Sequence, residues 1–302
     1  MLRKTSYADL QWILLPVVTP FTGEGSISFN ALRANFEAWN GSGVRGYVLL
    51  GSTGERVHLD DREYVETIET ARAVVPDGLA FIAGAGQQSV VGTIKEIENA
   101  NAAGADAVLV ITPHYYRAAI TQEALVSYYT AVADASRVPV LLYSMPALTG
   151  IKIEPETIAR LSEHPNIIGV KDSSNDVAGF AATVKLCPPD FAVLTGNGTV
   201  LLDALRAGAT GAILAVGCVV PRMCVEIFEA FNRGDEERAG RLQAKLTPLA
   251  AAVTTRFGIG GLKAALDLAG YSGGTVRAPL RSPDEAARAE ISRLLADAKA
   301  AG

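Results

Sequence analysis

Over the first two-thirds of the chain, apolar residues gather in short unbroken runs. They are Leu14-Leu-Pro-Val-Val18, Gly46-Tyr-Val-Leu-Leu50, Ala80-Phe-Ile-Ala83, Ala107-Val-Leu-Val-Ile111, Val138-Pro-Val-Leu-Leu-Tyr143, Ile167-Ile-Gly-Val170, Phe191-Ala-Val-Leu194 and Gly211-Ala-Ile-Leu214. A strand with one wet face alternates, so unbroken runs point to parallel strands covered on both sides. Between the runs the period lengthens to that of amphipathic helices. Leu32, Phe36 and Trp39 make one stripe, Val65, Ile68 and Arg72 begin another with its cations outward, and Ala124, Tyr128 and Val132 make a third. Strands alternating with helices in this number predict a closed (β/α)8 barrel, an α/β fold. Met223, Ile227 and Phe231 mark the last barrel helix, and Asn232-Arg-Gly-Asp235 is a turn. Only helical pattern follows, clearest at Ala287, Ile291 and Leu294. The expected organisation is a barrel over 1–233 and a small C-terminal helical addition over 234–302.

Length alone leaves that choice open. A chain of 302 residues accommodates two domains of about 150 residues or one barrel of about 250 with an appendage. With 27 basic and 32 acidic side chains the net charge is −5, which is not the footprint of a nucleic-acid binder. No apolar segment near the N-terminus reads as a secretory signal. The longest apolar stretch, Gly211 to Val220, is about half a membrane span. A cytoplasmic protein is expected, with no membrane partner. Cys187, Cys218 and Cys224 form no CxxC pair and read as buried small hydrophobes in a reducing compartment. Three histidines and three cysteines leave little material for a metal site of N and S ligands, and none is expected.

Barrel enzymes place their chemistry at the carboxyl ends of the strands, and three of these ends carry polar residues that packing explains poorly. Gly51-Ser-Thr-Gly-Glu55 follows the second run. Its glycines allow a tight turn whose N–H groups form an anion nest, and its hydroxyls add donors suited to a carboxylate; an ordinary turn into a helix is the plainer reading. Tyr143 ends the fifth run, where a buried phenol needs a partner. Lys171 continues the sixth run in Ile167-Ile-Gly-Val-Lys171-Asp-Ser-Ser174. A strand-end lysine can snorkel to water. One that points into the barrel mouth is instead pushed by burial toward its neutral form, and a neutral amine attacks ketones to give an imine. Alternation places Ser173 on the same side as Lys171.

Other polar features are weaker. His164, in Leu161-Ser-Glu-His-Pro165, sits at a helix end and reads as structural, and His58 and His114 add little. Gly84-Ala-Gly86-Gln-Gln-Ser89 imitates a dinucleotide loop, but it ends in serine and lacks the acidic residue expected about 20 positions later.

Taken together, Gly51-Ser-Thr-Gly-Glu55, Thr112-Pro-His-Tyr-Tyr116, Tyr143-Ser-Met-Pro146, Gly169-Val-Lys-Asp172 and Val276-Arg-Ala-Pro-Leu280 resemble the dihydrodipicolinate synthase/N-acetylneuraminate lyase superfamily. The resemblance spans almost the whole chain. It implies a (β/α)8 lyase, commonly a homotetramer built as a dimer of dimers, that forms a lysine Schiff base with pyruvate or another 2-oxo acid and needs no separate cofactor. It implies Lys171 as the Schiff-base lysine and Tyr143 as proton donor and acceptor. Ser52 and Thr53 become the hydroxyl pair, one relaying a proton and the other holding the pyruvate carboxylate. Tyr115 becomes a tyrosine that reaches a neighbouring subunit's site, and Ile213 lines the pyruvate pocket.

Departures from the pattern bear on the acceptor. Leu148, in Tyr143-Ser-Met-Pro-Ala-Leu-Thr-Gly150, stands where the synthases carry an arginine that grips aspartate semialdehyde. Leucine cannot supply that bidentate donor. Thr112-Pro-His-Tyr-Tyr-Arg117 and the stretch from Leu161 to Ser173 look most like 4-hydroxy-2-oxoglutarate aldolase, which carries a serine two residues after the lysine. The expectation is therefore a class I aldolase that cleaves a 4-hydroxy-2-oxo acid reversibly to pyruvate and an aldehyde. The alternatives are a dihydrodipicolinate synthase, a sugar-acid lyase or dehydratase, a metal-dependent aldolase, and a non-catalytic 2-oxo-acid sensor.

Overall fold

The computed structural model describes residues 4–300. Strands β1 (Ile13–Pro16), β2 (Gly46–Leu49), β3 (Ala80–Ala85), β4 (Ala107–Ile111), β5 (Val140–Ser144), β6 (Ile167–Asp172), β7 (Ala192–Thr195) and β8 (Gly211–Ile213) form a closed barrel in chain order. Every neighbouring pair is parallel, and β8 returns to β1. The eight apolar runs are these eight strands, with ends displaced by up to two residues.

Around the barrel lie α1 (Phe29–Asn40), α2 (Asp61–Arg72), α3 (Val90–Ala102), α4 (Gln122–Ala135), the single turn α5 (Pro146–Thr149), α6 (Pro155–Ser162), α7 (Val177–Leu186), α8 (Leu201–Arg206) and α9 (Pro221–Asn232). Their starts follow local chemistry. The side chains of Asp60, Ser89, Thr121 and Asp176 accept from the first-turn N–H groups of α2, α3, α4 and α7, which have no partner inside the helix. Ser89, the residue that ends the dinucleotide-like motif, is therefore a helix cap.

The chain builds two apolar layers. Leu14, Val48, Ile82, Leu109, Leu141, Tyr143, Leu194 and Ile213 fill the barrel lumen, and Leu10, from a short 3-10 turn (Tyr7–Leu10), joins them. The opposite strand faces pack against the helices, where Leu32, Phe36, Trp39, Ile68, Tyr128, Val132 and Ile227 are buried. Arg72 departs from the expected outward cation. Its guanidinium lies 4.6 Å from the centre of the Phe81 ring and donates to the Val75 carbonyl. A weakly hydrated planar cation gains more from that aromatic face than a lysine would.

Past the barrel come α10 (Glu236–Ala251), α11 (Gly258–Ala269) and α12 (Glu285–Lys299). Leu242, Leu246, Leu249, Leu262, Leu266 and Ile291 belong to the same outer core as the barrel helices. On α12 the buried stripe runs through Ala287, Ile291 and Leu295, with Leu294 only partly covered. Among the described residues, no helix is long and apolar enough to cross a membrane.

One irregularity bears on the chemistry. On β6, Ile167 pairs with Val140, but Gly169 pairs with Leu141, so Ile168 has no register partner. Ile167 and Val140 face the outer layer. Strict alternation from Ile167 would send Lys171, four residues on, to that outer layer too. The extra residue reverses the parity and turns Lys171 inward, level with Tyr143.

Candidate active site

Lys171 lies between Tyr143 of β5 and Leu194 of β7, both lumen residues. It is 5% exposed. Its amine sits 4.5 Å from the centre of the Tyr143 ring, and among the described residues no carboxylate or carbonyl pairs with it. A buried lysine normally has such a partner. This one lies against an aromatic face instead.

Ser173 shares the site, as alternation predicts. The proof is Gly196, just past β7: a Cβ there would overlap Ser173 Oγ and lie 2.8 Å from Lys171 Cε. Gly196 is thus the wall against which both side chains rest, and its N–H donates to the Asp172 carbonyl at 2.6 Å. Sequence reading passed over it, although a glycine at a lumen-facing strand end, in Thr195-Gly-Asn197, was the available signal. Beside it, the Asn197 amide donates to Asn175 Oδ1 across the β6 and β7 loops.

The Gly51–Glu55 turn closes the other side. Leu50 and Glu55, which bracket it, both have φ of 55°, a left-handed conformation costly for residues other than glycine. At Gly54 a Cβ would lie 2.7 Å from Leu50 N, so only glycine lets the turn fold back on itself. Ser52 Oγ is 3.4 Å from Tyr143 Oη. That is longer than an ordinary O–H···O bond, as is common for catalytic contacts before substrate binds. The N–H groups of Gly54 and Glu55 are used within the turn, whereas those of Ser52 and Thr53 meet no acceptor among the described residues. Two free N–H groups and two hydroxyls on one turn, with Thr53 buried, make a receptor for a small anion.

Ile213 ends β8 and is buried in the lumen cluster with Tyr143. The structure thus brings together Lys171, Tyr143, Ser52, Thr53, Ser173 and Ile213. It does not bring Tyr115 to them within one chain. Tyr115 is 75% exposed, packs edge-on against Tyr116, and has its backbone N–H held by Gln88 at 2.8 Å. Leu148, on α5, is 63% exposed at the rim. Arg117 lies along Gly150 beside it, since a Cβ on that glycine would be 3.1 Å from its Nη1.

His164 and His58 have structural partners. His164 is 3.1 Å from Asp134 and accepts from the Asn166 N–H, and His58 is 3.1 Å from Glu55. Cys187, Cys218 and Cys224 are free thiols. Burial pushes Cys187 up to about 11 and Cys224 up to about 12, which keeps them inert. Among the described residues, no cluster of histidine, cysteine and carboxylate could hold a metal ion.

Known proteins resemble the chain over almost its whole length. The model of the Dihydrodipicolinate synthetase family matches residues 9–298. A Streptomyces coelicolor protein named 4-hydroxy-tetrahydrodipicolinate synthase 1 is 37% identical over 274 residues, covering 90% of this chain and 88% of the relative. A Thermodesulfovibrio yellowstonii 4-hydroxy-tetrahydrodipicolinate synthase is 34% identical over 285 residues, covering 94% of this chain and 97% of the relative. Among solved structures, a prophage protein of the dihydrodipicolinic acid synthase family from E. coli K12, in complex with pyruvate, is similar with a TM-score of 0.88 at 32% identity. That match covers 95% of this chain and 98% of the other.

Proposed function

The chain belongs to the dihydrodipicolinate synthetase family of Schiff-base lyases, and from that premise we propose that Lys171 forms an imine with pyruvate and drives carbon–carbon bond making and breaking next to it. Membership of this enzyme family sets aside the sensor reading, and the family's covalent lysine–pyruvate imine replaces a metal. The single observation that carries the assignment is a buried lysine with no charged partner among the described residues, aimed by a register shift at a tyrosine in the lumen.

In the proposed mechanism the Lys171 amine adds to the C2 ketone of pyruvate and water leaves. The protonated imine withdraws electrons from C3, which loses a proton to give an enamine, and the enamine carbon attacks an aldehyde. Cleavage is the reverse. Tyr143, through Ser52, moves the protons that this exchange requires. The Ser52 and Thr53 N–H and hydroxyl groups hold the pyruvate carboxylate, and Ser173 and Ile213 bound the pocket. Borohydride reduction with pyruvate traps the adduct on Lys171. An unmodified Lys171, or activity lost to a chelator, overturns the mechanism.

Two readings of the acceptor have separate support. The relatives named 4-hydroxy-tetrahydrodipicolinate synthase, at 34% and 37% identity, favour condensation with aspartate semialdehyde, and they reverse the order in which the sequence ranked the two activities. Leu148 in place of the arginine, with Ser173 two residues after Lys171, favours 4-hydroxy-2-oxo acid cleavage, and Arg117 beside Gly150 offers a guanidinium for a second carboxylate at the same rim. Specificity constants for aspartate semialdehyde condensation, 4-hydroxy-2-oxoglutarate cleavage and cleavage of a longer sugar acid decide between them.

A homotetramer in the cytoplasm completes the proposal. Val57, Val91, Tyr115, Tyr116 and Leu148 are large exposed apolar side chains, in the segments that follow β2 to β5. Side chains of this kind are what a second copy would cover, carrying Tyr115 with it. Sedimentation of the purified protein tests this.

A further inference from the structure

Lys263 lies on α11, outside the barrel, yet is only 1% exposed. Its amine is 2.5 Å from Glu55 Oε1, donates to the carbonyls of Thr19 and Thr275 at 2.7 Å each, and sits 4.5 Å from the centre of the Phe21 ring. The other Glu55 oxygen accepts from the Arg277 backbone N–H at 3.1 Å and is 3.1 Å from His58 Nδ1. The Arg277 guanidinium clasps Glu63 with two contacts of 2.7 Å. Thr19, whose carbonyl receives Lys263, gives its hydroxyl to the Gly54 carbonyl at 2.8 Å. The Gly51–Glu55 turn is therefore gripped at Gly54 and at Glu55, and both grips run through the C-terminal third of the chain.

An ion pair in so dry a place is a poor way to gain stability, since desolvation of two charges offsets most of their attraction. What it supplies is direction. Two protons of Lys263 are committed to the Thr19 and Thr275 carbonyls while its charge faces Glu55, and Glu55 is held in a left-handed conformation that it would not adopt unaided. That conformation sets how the preceding Ser52 and Thr53 N–H groups point.

We propose that the Glu55–Lys263 pair, with Arg277 and Thr19, is the positioning element that holds the Gly51–Glu55 turn in the shape that receives the carboxylate of the 2-oxo acid. The inference rests on the reading of that turn as the carboxylate receptor. Lys263 and Glu55 touch no substrate, so their effect falls on how a carboxylate is told apart from a neutral group.

The test compares borohydride trapping of pyruvate and of pyruvamide, a neutral ketone of the same size, across a range of ligand concentrations. Wild type is set against Lys263→Met, against Thr19→Val, and against the double replacement Glu55→Gln with Lys263→Met, which leaves no lone buried charge. The half-saturating pyruvate concentration is expected to rise about tenfold in Lys263→Met and in the double variant, and less in Thr19→Val. That of pyruvamide stays put, and full trapping returns at saturating pyruvate. An unchanged pyruvate curve in a folded variant, or equal losses for both ketones, overturns the proposal. If Lys263→Met fails to fold, the double variant and Thr19→Val decide by the same readout. Wild type that traps neither ketone overturns the Schiff-base reading itself, whereas wild type that traps both at equal concentrations overturns the carboxylate receptor.

Discussion

Lys171 and Tyr143 are register partners on adjacent strands, with the lysine amine 4.5 Å from the centre of the tyrosine ring. One strand pair thus delivers both the proposed nucleophile and the proposed proton carrier to the same height in the lumen. The contrast with Lys263 is instructive. Both lysines are buried, but Lys263 is neutralised by Glu55 while Lys171 has no charged neighbour in contact among the described residues. One is built into the fold, and the other is left available.

Replacing the two partners separates their roles. Lys171→Ala abolishes borohydride trapping with pyruvate and lowers turnover by about 10³-fold or more. Tyr143→Phe keeps the ring face and the trapping but loses the hydroxyl, and turnover falls about 10²- to 10⁴-fold. Mass spectrometry of the reduced adduct beside steady-state rates checks both.

Gly196 offers a steric test. Gly196→Ala places a methyl group 2.8 Å from Lys171 Cε and on top of Ser173 Oγ. Overpacking of this kind costs about 1–3 kcal/mol, and here it falls on the reactive amine. Turnover drops at least about tenfold with a small change in melting temperature. A wild-type rate in this variant would show that the lysine is not confined by β7.

Leu148→Arg restores a bidentate donor at the rim. It is expected to raise the specificity constant for pyruvate with aspartate semialdehyde about tenfold or more and to leave pyruvate trapping unchanged. No gain would mean that the acceptor is recognised elsewhere, with Arg117 the next residue to replace.

Glu63 links stability to pH. The Arg277 guanidinium bonded to it holds its carboxyl below the usual range. A carboxylate with a depressed folded pKa stabilises the protein above its unfolded pKa, about 4.3. That contribution is lost as the pH falls through the folded value. Glu63→Gln therefore lowers stability at pH 7 by about 1 kcal/mol, allowing for partial exposure. Urea denaturation of the two proteins should converge well below pH 4.

The barrel was legible because burial on both faces writes unbroken apolar runs, and Leu32, Phe36 and Trp39 are buried as their spacing requires. Lys171 and Tyr143 were legible because polar residues ending such runs are expensive to explain otherwise. Long-range geometry was not. Nothing local marks Ile168 as unpaired, since a register shift depends on the neighbouring strand. Nor does the sequence around Lys263 reveal that it reaches Glu55, more than two hundred positions away. Arg72 was misjudged because its environment is set by Phe81 on β3 rather than by its own helix face.

The unpaired Ile168 gives strand length a chemical meaning. Were Ile168 instead to take a place in the ladder, alternation would run unbroken from Ile167, Val170 and Asp172 would face the lumen, and the lysine amine would be buried among the surrounding helices. The chain would keep every residue of the cluster around Lys171 and no longer bring them together. In this barrel one skipped pairing on β6 decides which face the lysine takes.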